Sequence, residues 1–163
     1  MNVEPLESVV DICSALVSYG SHIHADRAKA LYCAVSQNSP SVVAALLSAR
    51  LKFPDTVRQA LATVVDETGS LPLHTAMRYG YLECCQQLID AGADVNAVCQ
   101  DMSGESVVTP LELAIMTRNK NAVQLLLQSP NCQVDKVGSR KATALLHATS
   151  RGDYNIICYY CLL

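Results

Sequence analysis

Tryptophan is absent from the 163 residues and Phe53 is the single phenylalanine, so aliphatic and small side chains must fill any core. Charge is scarce at 17% of residues, and the balance is −3. That mild acidity gives no sign of a basic nucleic-acid stripe or a polybasic membrane arm. No apolar run approaches the ~18 residues of a membrane helix. The opening Met1-Asn2-Val3-Glu4-Pro5 lacks the basic and apolar regions of a secretory leader. Only seven glycines and six prolines are present, too few for a collagen-like or linker-like chain. What is there is a chain that is 50% hydrophobic, which excludes disorder of the whole and suits one ordinary domain.

Eight cysteines form no disulfide framework: Cys84 and Cys85 are adjacent, and others sit inside apolar helical patterns. Reduced thiols of a cytoplasmic or nuclear protein are the expectation. Cys158-Tyr159-Tyr160-Cys161 has CxxC spacing, but a structural zinc site needs four ligands and no second pair lies nearby. Three apart on a helix also means one apolar face, so both are expected in a core. His22 and His24 are two apart in an expected loop, a weak metal pair at most. The chain has no GxSxG, HExxH, P-loop or GxGxxG. Cys33 is close in sequence to His22 and His24, yet nothing marks either partner as activated. The reading is no enzyme, no cofactor, no metal and no small-molecule substrate.

A short phrase recurs. It runs Lys29-Ala30-Leu31-Tyr32-Cys33-Ala34, then Leu71-Pro72-Leu73-His74-Thr75-Ala76, then Thr109-Pro110-Leu111-Glu112-Leu113-Ala114, then Thr143-Ala144-Leu145-Leu146-His147-Ala148. Four residues after each closing alanine stand Asn38, Gly80, Arg118 and Gly152. Seventeen after each opening residue stand Leu46, Leu88, Leu126 and Tyr160. Proline at the first helical position suits a helix start, where its missing N–H has no partner anyway. Thr109 and Glu112 have capping-box spacing. Leu82, Cys85, Leu88 and Ile89 recur at helical spacing, and Gly80 and Gly92 sit where helices end. Each unit therefore reads as helix, tight turn, helix and extended loop, and such units must stack to bury both faces.

The stretch from Gly69 to Ala76, with Gly80 and then Gly92-Ala93-Asp94-Val95-Asn96-Ala97, resembles the ankyrin repeat family. The resemblance covers residues 8–163. It implies an all-α solenoid of stacked helix-turn-helix units with extended loop fingers, forming one domain. Its parts are a half-repeat 8–28, repeats 29–70, 71–108 and 109–142, and a truncated repeat 143–163. The openings lie 42, 38 and 34 residues apart, against a family period of ~33. The longest step suggests an extra short helix in 54–65. The next suggests an elongated, polar, flexible finger in 98–108. Arg118 in place of Gly and Glu112 in place of His suggest local irregularity.

The resemblance implies a scaffold that binds a partner protein along its concave face and loops. On the family frame the exposed positions are Ser36, Gln37, Glu67, Thr68, Ser70, Arg78, Tyr79, Met116, Thr117, Ser150 and Arg151. Tyr79, Met116 and the two arginines are the best anchors, since Tyr, Met and Arg are enriched in interfaces. His74 takes the family's structural histidine slot, and His147 is expected in the core or between repeats. Two other readings stand beside this one. The Leu88 to Asn96 stretch looks like the loop that an asparagine hydroxylase modifies in many ankyrin proteins, at Asn96. The chain, ending within an expected helix at Leu162-Leu163, also reads as a structural segment of a larger array.

Overall fold

The structure is a computed structural model that describes residues 23–47, 65, 69–100, 107–138 and 143–161. Helices come in pairs. They are α1 Ile23–Ser36 with α2 Pro40–Leu47, α3 Pro72–Tyr79 with α4 Leu82–Asp90, α5 Pro110–Met116 with α6 Lys120–Leu127, and α7 Ala144–Ser150 with α8 Tyr154–Cys161. The first helices pack in chain order, α1 on α3, α3 on α5 and α5 on α7. The second helices form a parallel layer in the same order, α2, α4, α6, α8. This is the stacked helical solenoid expected.

Between the layers lies one continuous core. Ala34, Ala76, Ala114 and Ala148 are all buried, and their missing bulk lets neighbouring first helices approach. Leu88 and Leu126 are fully buried and Leu46 nearly so, each at the same place in its unit. On α4, Cys84 joins Cys85 and Leu88 in the core.

Caps decide where the helices start. Thr109 Oγ1 accepts from Glu112 N at 3.1 Å and Thr109 N donates to Glu112 Oε2 at 2.7 Å, completing the expected capping box. Asn119 caps α6 by accepting from Ala122 N at 3.0 Å. Pro72 opens α3 with no side-chain cap from Leu71. Nothing comparable interrupts α1, where Ala30 stands in the slot that Pro72 and Pro110 fill. The helix therefore begins at Ile23, ahead of the expected opening at Lys29, and His24 lies in a helix and not in a loop. His22 and residues 54–64 of the expected helix in 54–65 lie outside the described residues, while Val65, its last residue, is exposed and not helical.

The turns between paired helices all use left-handed backbone at one frame position: Asn38 φ 50°, Gly80 φ 75°, Arg118 φ 56° and Gly152 φ 68°. Glycine and, less freely, asparagine take this region, and an ordinary side chain there costs about 1 kcal/mol. Arg118 accepts that strain, so the third unit keeps the turn its sequence seemed to break.

The expected finger is built differently from a plain flexible loop. β1 Cys99–Gln100 pairs antiparallel with β2 Val107–Val108, in the register Cys99 to Val108 and Gln100 to Val107. Cys99 and Val108 are buried with Leu113, and Met116 packs against the three. The base of the finger thus folds onto the first helix of the third repeat. Residues 101–106 lie outside the described residues.

Candidate functional site

The structure separates the expected contact residues by what their side chains already do. Ser36 and Gln37 are exposed at the end of α1, with Ser36 Oγ donating to Cys33 O at 2.9 Å. Tyr79 is 56% exposed at the end of α3. Its ring stacks on Tyr81 across Gly80, with centroids 5.7 Å apart and planes at 24°. Arg78 beside it is half-buried. Thr117 is exposed but turns its hydroxyl back to the carbonyls of Leu113 and Ala114, at 3.0 and 3.2 Å. Ser150 does the same to His147 at 3.0 Å. Arg151 is exposed and donates from Nη1 to the Met116 carbonyl at 2.7 Å, tying the fourth unit to the end of α5.

Two expected residues are placed otherwise. Ser70 is 3% exposed and therefore not a surface residue; its hydroxyl pairs with that of Thr75 at 3.3 Å. The frame explains the burial, because Val108, in the same place one repeat later, is 2% exposed. Met116 is half-buried under the finger and is a packing residue more than an open anchor. Glu67 and Thr68 lie outside the described residues. Tyr81 and Arg118 join the candidate residues at these turns, and the frame passes over both. The signal for Tyr81 was a second tyrosine flanking Gly80; for Arg118 it was an arginine in a glycine slot.

Buried polar side chains cross-link the units. His74 is buried, with Nε2 3.3 Å from the Val108 carbonyl. Burial lowers its pKa to about 4, only partly offset by the carbonyls of Val108 and Ala97, so the ring is neutral at pH 7. Glu112, one repeat on, fills the same slot with different chemistry. Its Oε2 caps α5, while Oε1 accepts from Gly138 N at 3.0 Å. The approach at Gly138 is close, since a Cβ there would strike the Val107 carbonyl. Asn96 staples successive loops. Its amide donates to Asn131 O and accepts from Gln133 N, both at 2.7 Å, so both polar atoms of the side chain are engaged. His147 is half-buried.

The cysteines also divide. Burial pushes Cys85 up to about 12 and raises Cys84 and Cys132, so these thiols stay protonated at neutral pH. Cys158 is exposed, contrary to its expected place in a core. It occupies the frame position of Gln86, which is also exposed, while its neighbour Ile157 packs against the core. Nothing is described of the Cys161 side chain. No His, Cys, Asp or Glu among the described residues falls in a group of three or more that would hold a metal ion. No helix among them is long and apolar enough to cross a membrane.

Comparison with known proteins matches this geometry. The chain is similar to the Neurogenic locus Notch protein of Drosophila melanogaster, 38% identical over 69 residues, which is 42% of this chain and 2% of that protein. It is similar to Rabankyrin-5 of Mus musculus, 39% identical over 66 residues, 40% of this chain and 5% of that protein. It is also similar to the glycerophosphocholine phosphodiesterase gde1 of Schizosaccharomyces pombe, 38% identical over 88 residues, 54% of this chain and 7% of that protein. The chain thus spans a small fraction of the length of each. The family profile described as ankyrin repeats in three copies matches residues 8–99, more than half of the chain, and a second ankyrin profile matches residues 73–127. With stacked helix pairs, left-handed turns at one frame position and matching profiles that together span three of those four turns, the chain belongs to the ankyrin repeat family.

Proposed function

We propose that the chain is a protein-binding scaffold without catalytic activity of its own, working in the cytoplasm or nucleus. Ankyrin repeats are generally protein-interaction modules. The observation that carries the reading is Tyr79: a large aromatic side chain, 56% exposed, stacked on Tyr81 at the end of a short helix. A pre-ordered tyrosine offers contact area with little ordering entropy left to lose on binding. Arg78 beside it adds a planar donor group of the kind enriched at binding hot spots. Partner contact runs along the ends of the first helices, through Gln37, Arg78, Tyr79 and Arg151, with the loop fingers closing the surface.

The test is capture by the tagged chain, with mass spectrometry of what is retained. The double variant Arg78→Ala with Tyr79→Ala should lose the retained partner while its thermal unfolding stays close to that of the parent. A convex change such as Gln86→Ala should keep it. Equal capture by the double variant would refute this placement of the binding surface.

A further inference from the structure

Among the described residues, charge is unevenly spread along the stack. Each helix pair has a turn at one end and a loop at the other. The turn ends carry Arg78, Arg118, Lys120 and Arg151, against Glu83 and Asp153. Among the described residues the loop ends carry Asp90, Asp94 and Asp135, exposed, with Lys29 exposed and Lys136 half-buried. A chain of net charge −3 therefore presents a basic edge.

The turns of successive units touch, which makes that edge continuous. A Cβ at Gly80 would come within 2.5 Å of Asn119 Nδ2, so the second turn lies directly against the third. Arg118 Nε is 3.9 Å from Asp153 Oδ2, joining the third turn to the fourth. The Arg118 side chain nevertheless remains 66% exposed, and a single pair at that distance leaves most of its five N–H donors free to bond elsewhere. Arg151 spends one N–H on the Met116 carbonyl and is otherwise exposed. At the end of the row, Tyr79 and Tyr81 stack into one aromatic platform.

Backbone strain singles out one member. Frame positions equivalent to Arg118 hold Gly80, Gly152 and Asn38, residue types that take left-handed φ readily. Arginine does not, yet Arg118 sits there at φ 56°. Strain retained where glycine would relieve it points to a use for the side chain.

We infer that the row of turns from Gly80 to Gly152 is a docking edge for an extended acidic segment of a partner protein. Arg118 and Arg151 meet its carboxylates, and the Tyr79–Tyr81 platform takes an apolar side chain of the same segment. Guanidinium forks match carboxylates two bonds at a time, so acidic side chains are the complementary chemistry. This rests on the scaffold reading above and names the partner's character within it.

The experiment measures fluorescence anisotropy of a short labelled peptide of alternating glutamate and tyrosine with the full chain. Its controls are the same peptide with glutamine for glutamate and vesicles containing phosphatidylserine. The acidic peptide should bind, weaken as salt rises, and bind at least about fivefold more tightly than the glutamine peptide. Arg118→Gly should lose about fivefold in affinity while unfolding at the same or a higher temperature, because the strain is gone. That opposition is one that a merely structural arginine would not give. Tyr79→Ala should weaken both peptides alike. No binding of the acidic peptide, equal binding of the glutamine peptide, unchanged affinity of Arg118→Gly, or preference for the vesicles would each overturn the inference. A partner protein retained equally by the parent and by Arg118→Gly would refute the edge and leave the scaffold standing. Failure of the parent to retain any partner protein would refute the scaffold itself.

Discussion

Replacing Glu112 should do more harm than its single carboxylate suggests. The side chain is 1% exposed and serves two backbone donors, Thr109 N at 2.7 Å and Gly138 N at 3.0 Å. Hydrogen bonds to a charged group contribute about 1.5–3 kcal/mol each, and a buried donor left without a partner carries the full desolvation penalty. Glu112→Ala orphans both amides, so it should cost about 3–5 kcal/mol. Glu112→Gln keeps one carbonyl oxygen but aims an NH₂ at the other donor, so its cost should be about 2 kcal/mol. The loss is also directional. Thr109 lies in the third repeat and Gly138 leads into the fourth, so the break falls between nearest neighbours in a stack. Urea unfolding followed by far-ultraviolet circular dichroism reads the total, and amide exchange reads its place: Gly138 N and the α7–α8 pair should open first. Unfolding of Glu112→Ala within about 1 kcal/mol of the parent would refute the reasoning.

Other outcomes follow from the same packing. Leu88 is fully buried, so Leu88→Ala should cost about 2–5 kcal/mol and loosen its neighbours; a melt matching the parent would count against the stack. His74 titrates at about 4 in the folded chain and at about 6.5 unfolded, so the unfolded state binds the extra proton between those values. Stability contributed by this neutral, buried ring is complete above pH 6.5 and should fall by about 3 kcal/mol on going down to pH 4. His74→Gln should remove that part of the pH slope, and an identical slope in the variant would contradict it. Gly80→Ala should destabilise by about 1 kcal/mol or more, because it combines φ 75° with a Cβ pressed on the Asn119 cap; cooperative unfolding at the parent's temperature would argue against this turn geometry.

The repeat was legible because its signals are local. Alanine at a helix–helix contact, proline or threonine at a helix start, and a small or left-handed residue at the turn each act within a few residues. Asn38, Gly80, Arg118 and Gly152 were aligned by position, and all four share left-handed backbone. The Thr109–Glu112 capping box was readable from spacing alone. What escaped depends on neighbours. The start of α1 moved because the sequence offers no proline or glycine to stop it. The family frame puts Ser70 on the surface although its counterpart Val108 is core, and the apolar spacing puts Cys158 in the core although its counterpart Gln86 is surface. Met116 is covered by the hairpin that starts at Cys99, a contact between segments that no residue pattern announces. Glu112 looked like a lapse in the pattern, yet its second oxygen finds Gly138 26 residues away.

Hydrogen–deuterium exchange of the chain alone and with its captured partner tests the central claim most directly. Partner contact should slow exchange over the ends of the first helices and the turns after them, residues 78–82, 116–120 and 150–154, leaving the outer face of α4 and α6 unchanged. Protection confined to residues 83–90 and 121–127, with the turns exchanging as before, would contradict it.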